Sequence, residues 1–184
     1  ADETFLAHHL LSLASHAPSN NANKRWIIGI AGIPASGKSV FAAKMTECVN
    51  RLANKDIAVH LGMDGFHYTR AHLDTMENPA DAHRYRGAHW TFDAVGFGNL
   101  LQRLGSNVES KIVAPSFDHA IKDPSPNGTQ IMPHHQIVMV EGLYLLLNIE
   151  PWNTLVLPHF NERWFIDIDD KLAERRIVAR HVES

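Results

Sequence analysis

The sequence has little of three features that mark other classes of protein. Its one cysteine, Cys48, excludes an internal disulfide and fits a reducing compartment such as the cytoplasm. It contains no run of about 18 apolar residues, so we expect no transmembrane helix, and Ala1 is not followed by the pattern of a secretory signal. Its formal net charge of −3 offers no basic surface to nucleic acid or to an anionic membrane. We therefore expect a cytoplasmic protein without nucleic-acid or membrane partners.

The chain does contain enough apolar residues, 45% of 184, to form one domain with a substantial core. Continuous apolar runs predict buried parallel strands at residues 26–31, 57–63, 137–140 and 164–168. Stretches typical of helices alternate with them, at residues 3–16, 37–53, 91–104 and from 171 onwards. This order predicts an α/β fold with three layers and a mainly parallel sheet, in which strand 57–63 lies beside strand 26–31.

The middle of the chain has a weaker pattern. Residues 73–88 are polar and rich in turn residues, which predicts an irregular loop with at most a helical turn. Residues 111–117 predict a strand, and the turn at 124–128 predicts that residues 129–132 return against it as a small hairpin. The adjacent histidines His134 and His135 are predicted to point in different directions, so we expect no metal site there.

The most informative segment is Gly32–Ser39, which matches G-x-x-x-x-G-K-[ST] between an apolar strand and a helix. Its glycines allow the backbone N–H groups to turn inward around phosphate oxygens, and the helix adds the positive end of its dipole. Lys38 supplies a charge for the β- and γ-phosphates, and Ser39 supplies a hydroxyl ligand for Mg²⁺. The predicted phosphate-binding residues are Gly32, Ile33, Pro34, Ala35, Ser36, Gly37, Lys38, Ser39 and Val40.

Two acids follow predicted strands at the edge of the sheet where ligands bind in open α/β folds. Asp64 follows strand 57–63 and is suited to accept the proton of an attacking hydroxyl, although an exposed Asp-Gly turn would also explain it. Glu141 ends strand 137–140, the pattern of an acid that binds Mg²⁺ directly or through water, although it is also explained as a strand-end cap.

The last predicted helix carries Arg176 and Arg180 on one face, one turn apart. Such arginines are able to close over a transferring phosphate and stabilise its charge. A solvated basic face explains the same pattern, and the residues alone leave both interpretations open.

Together these segments resemble the P-loop kinases that include uridine kinase, type I pantothenate kinase and phosphoribulokinase. The resemblance runs from about Arg25 to His181 and keeps the family's order of motifs. The sequence is most similar to a subgroup of uridine-kinase-like and fructose-type sugar kinases with a Met-Asp-Gly-Phe-His segment. The stretches that carry it are Gly32–Ser39, Met63–His67, Arg86-Gly87, Thr91–Asp93, Ala114–His119, Val140–Gly142 and Arg175–Arg180.

The resemblance implies a role for each matching residue. Asp64 corresponds to the catalytic base, and Glu141 and Ser39 correspond to the residues near Mg²⁺. Lys38, Arg176 and Arg180 correspond to the cations that stabilise the transferring phosphate. The two arginines belong to a mobile lid helix. The residues that correspond to the acceptor pocket are Asp64, His67, Arg86, Asp118 and His119. The implied fold is a three-layer P-loop NTPase domain over residues 1–184, with a hairpin and a helical lid but without the last part of the family's domain.

The implied activity is transfer of the γ-phosphate of ATP to an alcohol group, with ATP and Mg²⁺ as cofactors and a small-molecule acceptor. Uridine kinases usually carry Ser-Phe-Tyr where this chain has Gly65, Phe66 and His67, so nucleosides, sugars and pantothenate-like acceptors all stay open. An ATPase and a nucleotide-binding regulator are the alternatives. Asp64 distinguishes them from a kinase, because a sensor needs no base at that strand end. Whether the chain forms a homodimer is also left open.

Overall fold

A computed structural model describes residues 2–15, 24–106, 109–118 and 120–182, with the side chains of residues 180–182 left out. The helices are α1 Glu3–Ser15, α2 Lys38–Ala53, α3 Arg70–Leu73, α4 Pro79–Arg84, α5 Ala94–Ser106, α6 Trp152–Leu155 and α7 Asp170–Val182. The strands are β1 Trp26–Gly32, β2 Ala58–Gly62, β3 Ile112–Val113, β4 Ser116–Asp118, β5 Asp123–Ser125, β6 Gln130–Ile131, β7 Ile137–Gly142 and β8 Glu162–Ile166. In the described part of the chain, no helix combines the length and apolar character needed to span a membrane.

The central sheet is parallel and has helices on both faces, which confirms the predicted α/β fold. Its strand order is β2-β7-β1-β8, and β7 is buried at every position, as a strand between two helical layers requires. One face packs against α1 and α2, where Leu10 and Met45 are fully buried. The opposite face packs against α5 and α6, where Phe97 and Trp152 are buried.

The predicted neighbour of β1 was wrong, because β7 lies between β1 and β2. β7 pairs with β1 through Trp26↔Ile137 and with β2 through Ala58↔Ile137. Apolar composition predicts that a strand is buried but says nothing about which strand is beside it. The consequence for function is that the acid on the strand next to the phosphate loop is Glu141, and Asp64 lies one strand further away.

The segment after α5 forms two short antiparallel strand pairs, whereas the sequence predicted one strand paired with a second strand that returns against it. β3 pairs with β6, as predicted, and β4 pairs with β5. The expected strand 111–117 is interrupted at Pro115, which has no N–H to donate to a partner strand. The Pro115 backbone also lies against Gly65, where an added Cβ would be 2.2 Å from the Pro115 carbonyl oxygen. The interruption therefore allows the hairpins to approach the turn that carries Asp64.

The predicted irregular loop at 73–88 is more ordered than expected, because it contains the last residue of α3 and the whole of α4. The Thr69 hydroxyl accepts a hydrogen bond from the His72 N–H at 3.1 Å, and the Asn78 side chain accepts one from the Asp81 N–H at 3.3 Å. Asn78, one of the polar residues that suggested a loop, is thus a helix N-cap, and Thr69 has the same role just before the predicted loop.

Candidate active site

The loop between β1 and α2 has the backbone shape that the phosphate-binding motif predicts. Ala35 and Gly37 have positive φ values of 60° and 93°, which turn the chain sharply before α2 begins. The N-terminus of α2 therefore faces the space that the loop surrounds, and unpaired N–H groups and the helix dipole attract phosphate there. Lys38 donates from Nζ to the Ile33 carbonyl at 2.9 Å, so its charge lies over the loop.

A cavity of about 230 Å³ above this loop brings the predicted phosphate-binding residues together with both predicted acids. It is lined by Pro34, Ala35, Gly37, Lys38, Ser39, Val40, Asp64, Glu141, Gly142 and Leu143. The remaining loop residues support the cradle. At Gly32 an added Cβ would be 2.8 Å from both Ser36 Oγ and the Ile166 carbonyl oxygen. Ser36 is 6% exposed, and its Oγ is buried without a hydrogen-bond partner among the described residues.

Glu141 lies at the end of β7 and is 8% exposed. Its pKa is raised to about 7, mainly by burial and also by the nearby Asp64 carboxylate, while a hydrogen bond with Ser39 and the charge of Lys38 oppose the change. Gly62 on the neighbouring strand provides space for the carboxylate, since a Cβ there would be 3.2 Å from Glu141 Oε1. A carboxyl group with so little solvent is suited to a cation, and the oxygen donors of Glu141 and Ser39 are the kind that Mg²⁺ prefers.

Asp64 lies in the 3₁₀ turn Met63–Phe66 that follows β2, and its side chain is exposed at the cavity. The turn is held by the His67 ring, whose Nδ1 is 2.8 Å from the Asp64 carbonyl oxygen. Its backbone also packs closely against the hairpins at Gly65. An exposed carboxylate on a fixed turn is available to a second substrate, whereas Glu141 lies deep beside the phosphate loop.

His60 is a residue of this site that the sequence did not single out. It precedes Gly62 by two positions on β2, so it shares the sheet face of the Glu141 carboxylate. Its Nε2 is buried 3.9 Å from Glu141 Oε1 and has no hydrogen-bond partner in the described part of the chain. The signal in the sequence was a histidine inside the predicted strand 57–63. The alternation of side chains along a strand would have placed it on one face of the sheet.

The residues predicted for the acceptor pocket differ in what the structure assigns to them. The His67 ring lies between Phe92 and Phe117, with centroid distances of 3.9 Å and 4.8 Å. Arg86 is paired with Asp123 at 2.5 Å, and its guanidinium carbon is 5.8 Å from the Phe117 ring centroid.

Two further residues predicted for the pocket lie in the β4–β5 hairpin. Asp118 accepts hydrogen bonds from the Ala120 and Ile121 N–H groups at 2.8 Å and 3.4 Å, so it caps the hairpin turn. His119 lies outside the described residues. Asp123 and Phe117, which were not predicted, are in contact with predicted residues, and no local motif connects them.

The predicted lid arginines lie on α7, which follows β8. Arg176 donates from Nη1 to the Ala35 carbonyl of the phosphate loop at 3.2 Å. The helix therefore approaches the loop, and Arg176 is exposed beside the place where phosphate would bind. The side chain of Arg180 is outside the described part of the protein.

A second polar cluster contains Asp56, His134 and His135 and corrects the prediction that the two histidines diverge. His134 and His135 occupy the turn before β7, and their Nε2 atoms lie 3.2 Å and 3.3 Å from Asp56 Oδ2. The spacing would suit a metal ion. However, Nδ1 of His135 accepts the Met132 N–H at 2.9 Å, which leaves the ring proton of neutral His135 on Nε2. A metal-binding histidine usually donates from its second nitrogen, so this geometry favours hydrogen bonds to Asp56.

Comparisons with known proteins agree with this geometry. The model of the Phosphoribulokinase / Uridine kinase family matches residues 27–183. A Schizosaccharomyces pombe protein provisionally named a uridine kinase is 37% identical over 161 residues, covering 88% of this chain and 68% of the relative. An ATP-dependent kinase-like protein of Aspergillus versicolor is 46% identical over 125 residues, covering 66% of this chain and 72% of the relative.

A solved structure from Silicibacter, provisionally named a fructose transport system kinase, superposes with a TM-score of 0.84 at 23% identity. It covers 100% of this chain and 82% of that protein. At that identity the likeness shows the fold alone, which agrees with the parallel sheet and flanking helices described above.

Proposed function

The chain belongs to the phosphoribulokinase/uridine kinase family, and we propose that it transfers the γ-phosphate of ATP to an alcohol group of a small metabolite. Its membership makes it a P-loop kinase that uses a nucleotide. The observation that supports the finer proposal is the single cavity lined by the phosphate loop, Glu141 and the exposed carboxylate of Asp64. Hydrolysis of ATP requires only the phosphate loop and Glu141, whereas transfer to an acceptor hydroxyl also requires a base at the position of Asp64.

Each group in the cavity has a distinct task in this reaction. Lys38 and the loop N–H groups bind the β- and γ-phosphates, and Ser39 and Glu141 would hold Mg²⁺, which would supply positive charge beside the transferring group. Asp64 orients the acceptor hydroxyl for in-line attack and accepts its proton. Arg176, with Arg180 one turn further along α7, stabilises the transferring phosphate when the helix closes.

The proposed setting follows from the same features. The partner is a small-molecule acceptor, with ATP and Mg²⁺ as cofactors and without nucleic-acid or membrane partners. Cys48 is a free thiol packed in the core at 6% exposure, which suits the reducing conditions of the cytoplasm. A homodimer is compatible with this proposal but is not required by it, because the predicted roles all fall within one chain.

The test is ADP release in the presence of single acceptors, measured with a coupled assay and confirmed by mass of the product. We expect one class among nucleosides, sugars and pantothenate-like alcohols to raise ADP release at least tenfold over the acceptor-free rate. Hydrolysis that no acceptor stimulates would replace the kinase proposal with an ATPase. Tight ATP binding without either turnover would favour a nucleotide-binding regulator.

A further inference from the structure

We infer that the acceptor phosphorylated at this site is an uncharged, hydroxyl-bearing molecule, because Arg86, the partly buried arginine beside the proposed acceptor pocket, is already bound by an aspartate. The inference rests on the proposed function and adds the charge class of the substrate. It separates candidates that the proposed function leaves together, since nucleosides such as uridine and free sugars such as fructose are neutral, whereas pantothenate and sugar phosphates are anions.

The relevant surface is formed by His67, Phe117, Arg86 and Asp123, each of which contacts the next in that order, beside the Asp64 turn. The His67 ring contacts Phe117, and Arg86 lies near the same phenyl ring. His67 is also within electrostatic range of Asp64, Arg86 and Asp123. A molecule whose hydroxyl reaches Asp64 would therefore lie close to His67 and to the side chains linked to it.

Both terminal nitrogens of Arg86 are already bonded, and its Nε, which has no hydrogen-bond partner among the described residues, is buried. Its Nη1 donates to the Lys122 carbonyl at 2.6 Å, and its Nη2 donates to the Tyr68 carbonyl at 3.0 Å and to Asp123 Oδ1 at 2.5 Å. The side chains of Arg86 and Asp123 are only 15% and 25% exposed. An acceptor carboxylate or phosphate would have to displace Asp123 and leave that carboxylate half-buried without a partner, which is strongly unfavourable.

The other charges near this surface offer an anion no buried positive partner. Asp123 and Arg86 neutralise each other as a pair, and the remaining acid of the described surface, Asp64, is exposed and repels an anion. Burial lowers the pKa of His67, so its ring adds no positive charge at neutral pH. Arg70 and Lys122 are exposed, where water and salt screen their charges. Aromatic faces and hydrogen-bonding groups remain, and these recognise a neutral ring or polyol.

The experiment compares acceptors in matched pairs that differ in charge: pantothenol with pantothenate, glycerol with glycerate, and fructose with fructose 6-phosphate. We expect kcat/KM to favour the neutral member at least tenfold in every pair that reacts. The KM of the neutral member should also be the same at 50 mM and at 300 mM salt. These concentrations lie on either side of the one at which the Debye length is about 10 Å. An anionic member that reacts better than its neutral partner would overturn the inference.

Asp123→Asn provides a second arm, because it releases Arg86 while keeping the size of the side chain. The variant should reduce the preference for the neutral acceptor at least tenfold by improving the anionic one. Asp74→Asn is the matched control, an exposed acid whose partner is His83 on α4 at 2.8 Å, and it should leave the preference unchanged. Circular dichroism and thermal unfolding confirm that each variant is folded.

The inference can fail separately from the proposed function. If no acceptor is phosphorylated, the kinase proposal fails, and the charge preference is then measured by ligand-observed NMR of each pair with ADP and Mg²⁺ present. Tighter binding of the anionic member would overturn the inference whether or not turnover occurs. Tighter binding of the neutral member, lost in Asp123→Asn but kept in Asp74→Asn, would support it.

Discussion

The two edges of the central sheet differ in how their polar side chains find partners. At the amino edge, Asn50 accepts the N–H groups of Ile57 and Ala58 at 2.9 Å and 2.8 Å. Arg25, only 3% exposed, donates to the carbonyls of His135, Leu104 and Met132. Polar groups at this edge thus satisfy one another, as buried groups usually do.

At the carboxyl edge, the polar groups are left incomplete. Ser36 Oγ and His60 Nε2 are buried without a hydrogen-bond partner among the described residues. Glu141 has a raised pKa of about 7, and Ala35 keeps a left-handed backbone at some cost in energy. The contrast supports the proposal that phosphate, metal and acceptor complete this edge, whereas Asn50 and Arg25 at the amino edge find their partners within the described part of the protein.

The largest expected effect on activity comes from replacing one aspartate at each edge of the sheet with asparagine, and it tests the contrast between the edges. Asp64→Asn keeps the size of the side chain but cannot accept a proton, and a positioned base contributes ~10²–10⁴-fold in rate. We expect transfer to the acceptor to fall by about two orders of magnitude or more, with ATP binding nearly unchanged and slow hydrolysis reduced much less. Asp56→Asn at the opposite edge should leave transfer unchanged. Lost ATP binding with surviving transfer in Asp64→Asn would instead make Asp64 a nucleotide or metal ligand.

The second effect concerns the pKa of Glu141. An acid whose pKa rises from 4.5 to about 7 on folding binds its proton more tightly in the native state, so the free energy of unfolding decreases as pH rises between those values. Above pH 7 the charged group costs up to about 3 kcal/mol. Glu141→Gln should therefore stabilise the protein at pH 8 but hardly at pH 5, while Mg²⁺-dependent turnover is lost.

Urea unfolding at the two pH values measures this, with Glu47→Gln on the exposed face of α2 as the control. Equal stabilisation by Glu141→Gln at pH 5 and pH 8 would show that the carboxyl is ionised throughout and that its burial is compensated.

The third effect comes from the lysines near the two ends of α2. Lys38→Ala removes a cation expected to contact two phosphates, and charge-assisted contacts contribute ~1.5–3 kcal/mol each. We expect at least a tenfold loss of ATP affinity or turnover with the fold intact. Lys55→Ala, an exposed residue at the opposite edge, should change neither. Calorimetric titration with an ATP analogue measures affinity, and an unchanged value for Lys38→Ala would contradict the assigned role of the loop.

Local patterns in the sequence were sufficient for the parts of the site that are built locally. The phosphate loop needs only its glycines, its lysine and its flanking strand and helix, and all are consecutive. Asp64 and Glu141 each follow an apolar run, so their position at the carboxyl edge followed from the strand. These features were predictable because the chemistry and the structure are encoded in the same few residues.

The parts that were missed depend on contacts between distant segments. The insertion of β7 between β1 and β2 is decided by packing of whole layers, and each strand is equally apolar whichever neighbour it has. Arg86 and Asp123 are 37 residues apart, and no periodicity connects them. His134 and His135 were interpreted as members of a regular element, whereas they lie in a turn that brings both rings to Asp56.

The smallest effect concerns this Asp56 cluster, and it tests whether the amino edge is complete without a ligand. His134 and Asp56 are 54% and 67% exposed, and exposed pairs contribute about 0–1 kcal/mol, so His134→Ala should lower the free energy of unfolding by less than about 1 kcal/mol. His135 is 6% exposed and accepts the Met132 N–H, so His135→Ala leaves a partly buried donor unpaired and should cost about 1–3 kcal/mol.

A metal ion at this place would require Nε2 of His135 to lose its proton and Nδ1 to give up the Met132 N–H. We therefore expect Zn²⁺ to leave the thermal midpoint of unfolding unchanged in both parent and His134→Ala, because a ligand raises stability only if it binds the native state. Zn²⁺ that stabilises the parent but not His134→Ala would show a metal site, and the amino edge would then also be completed by a ligand.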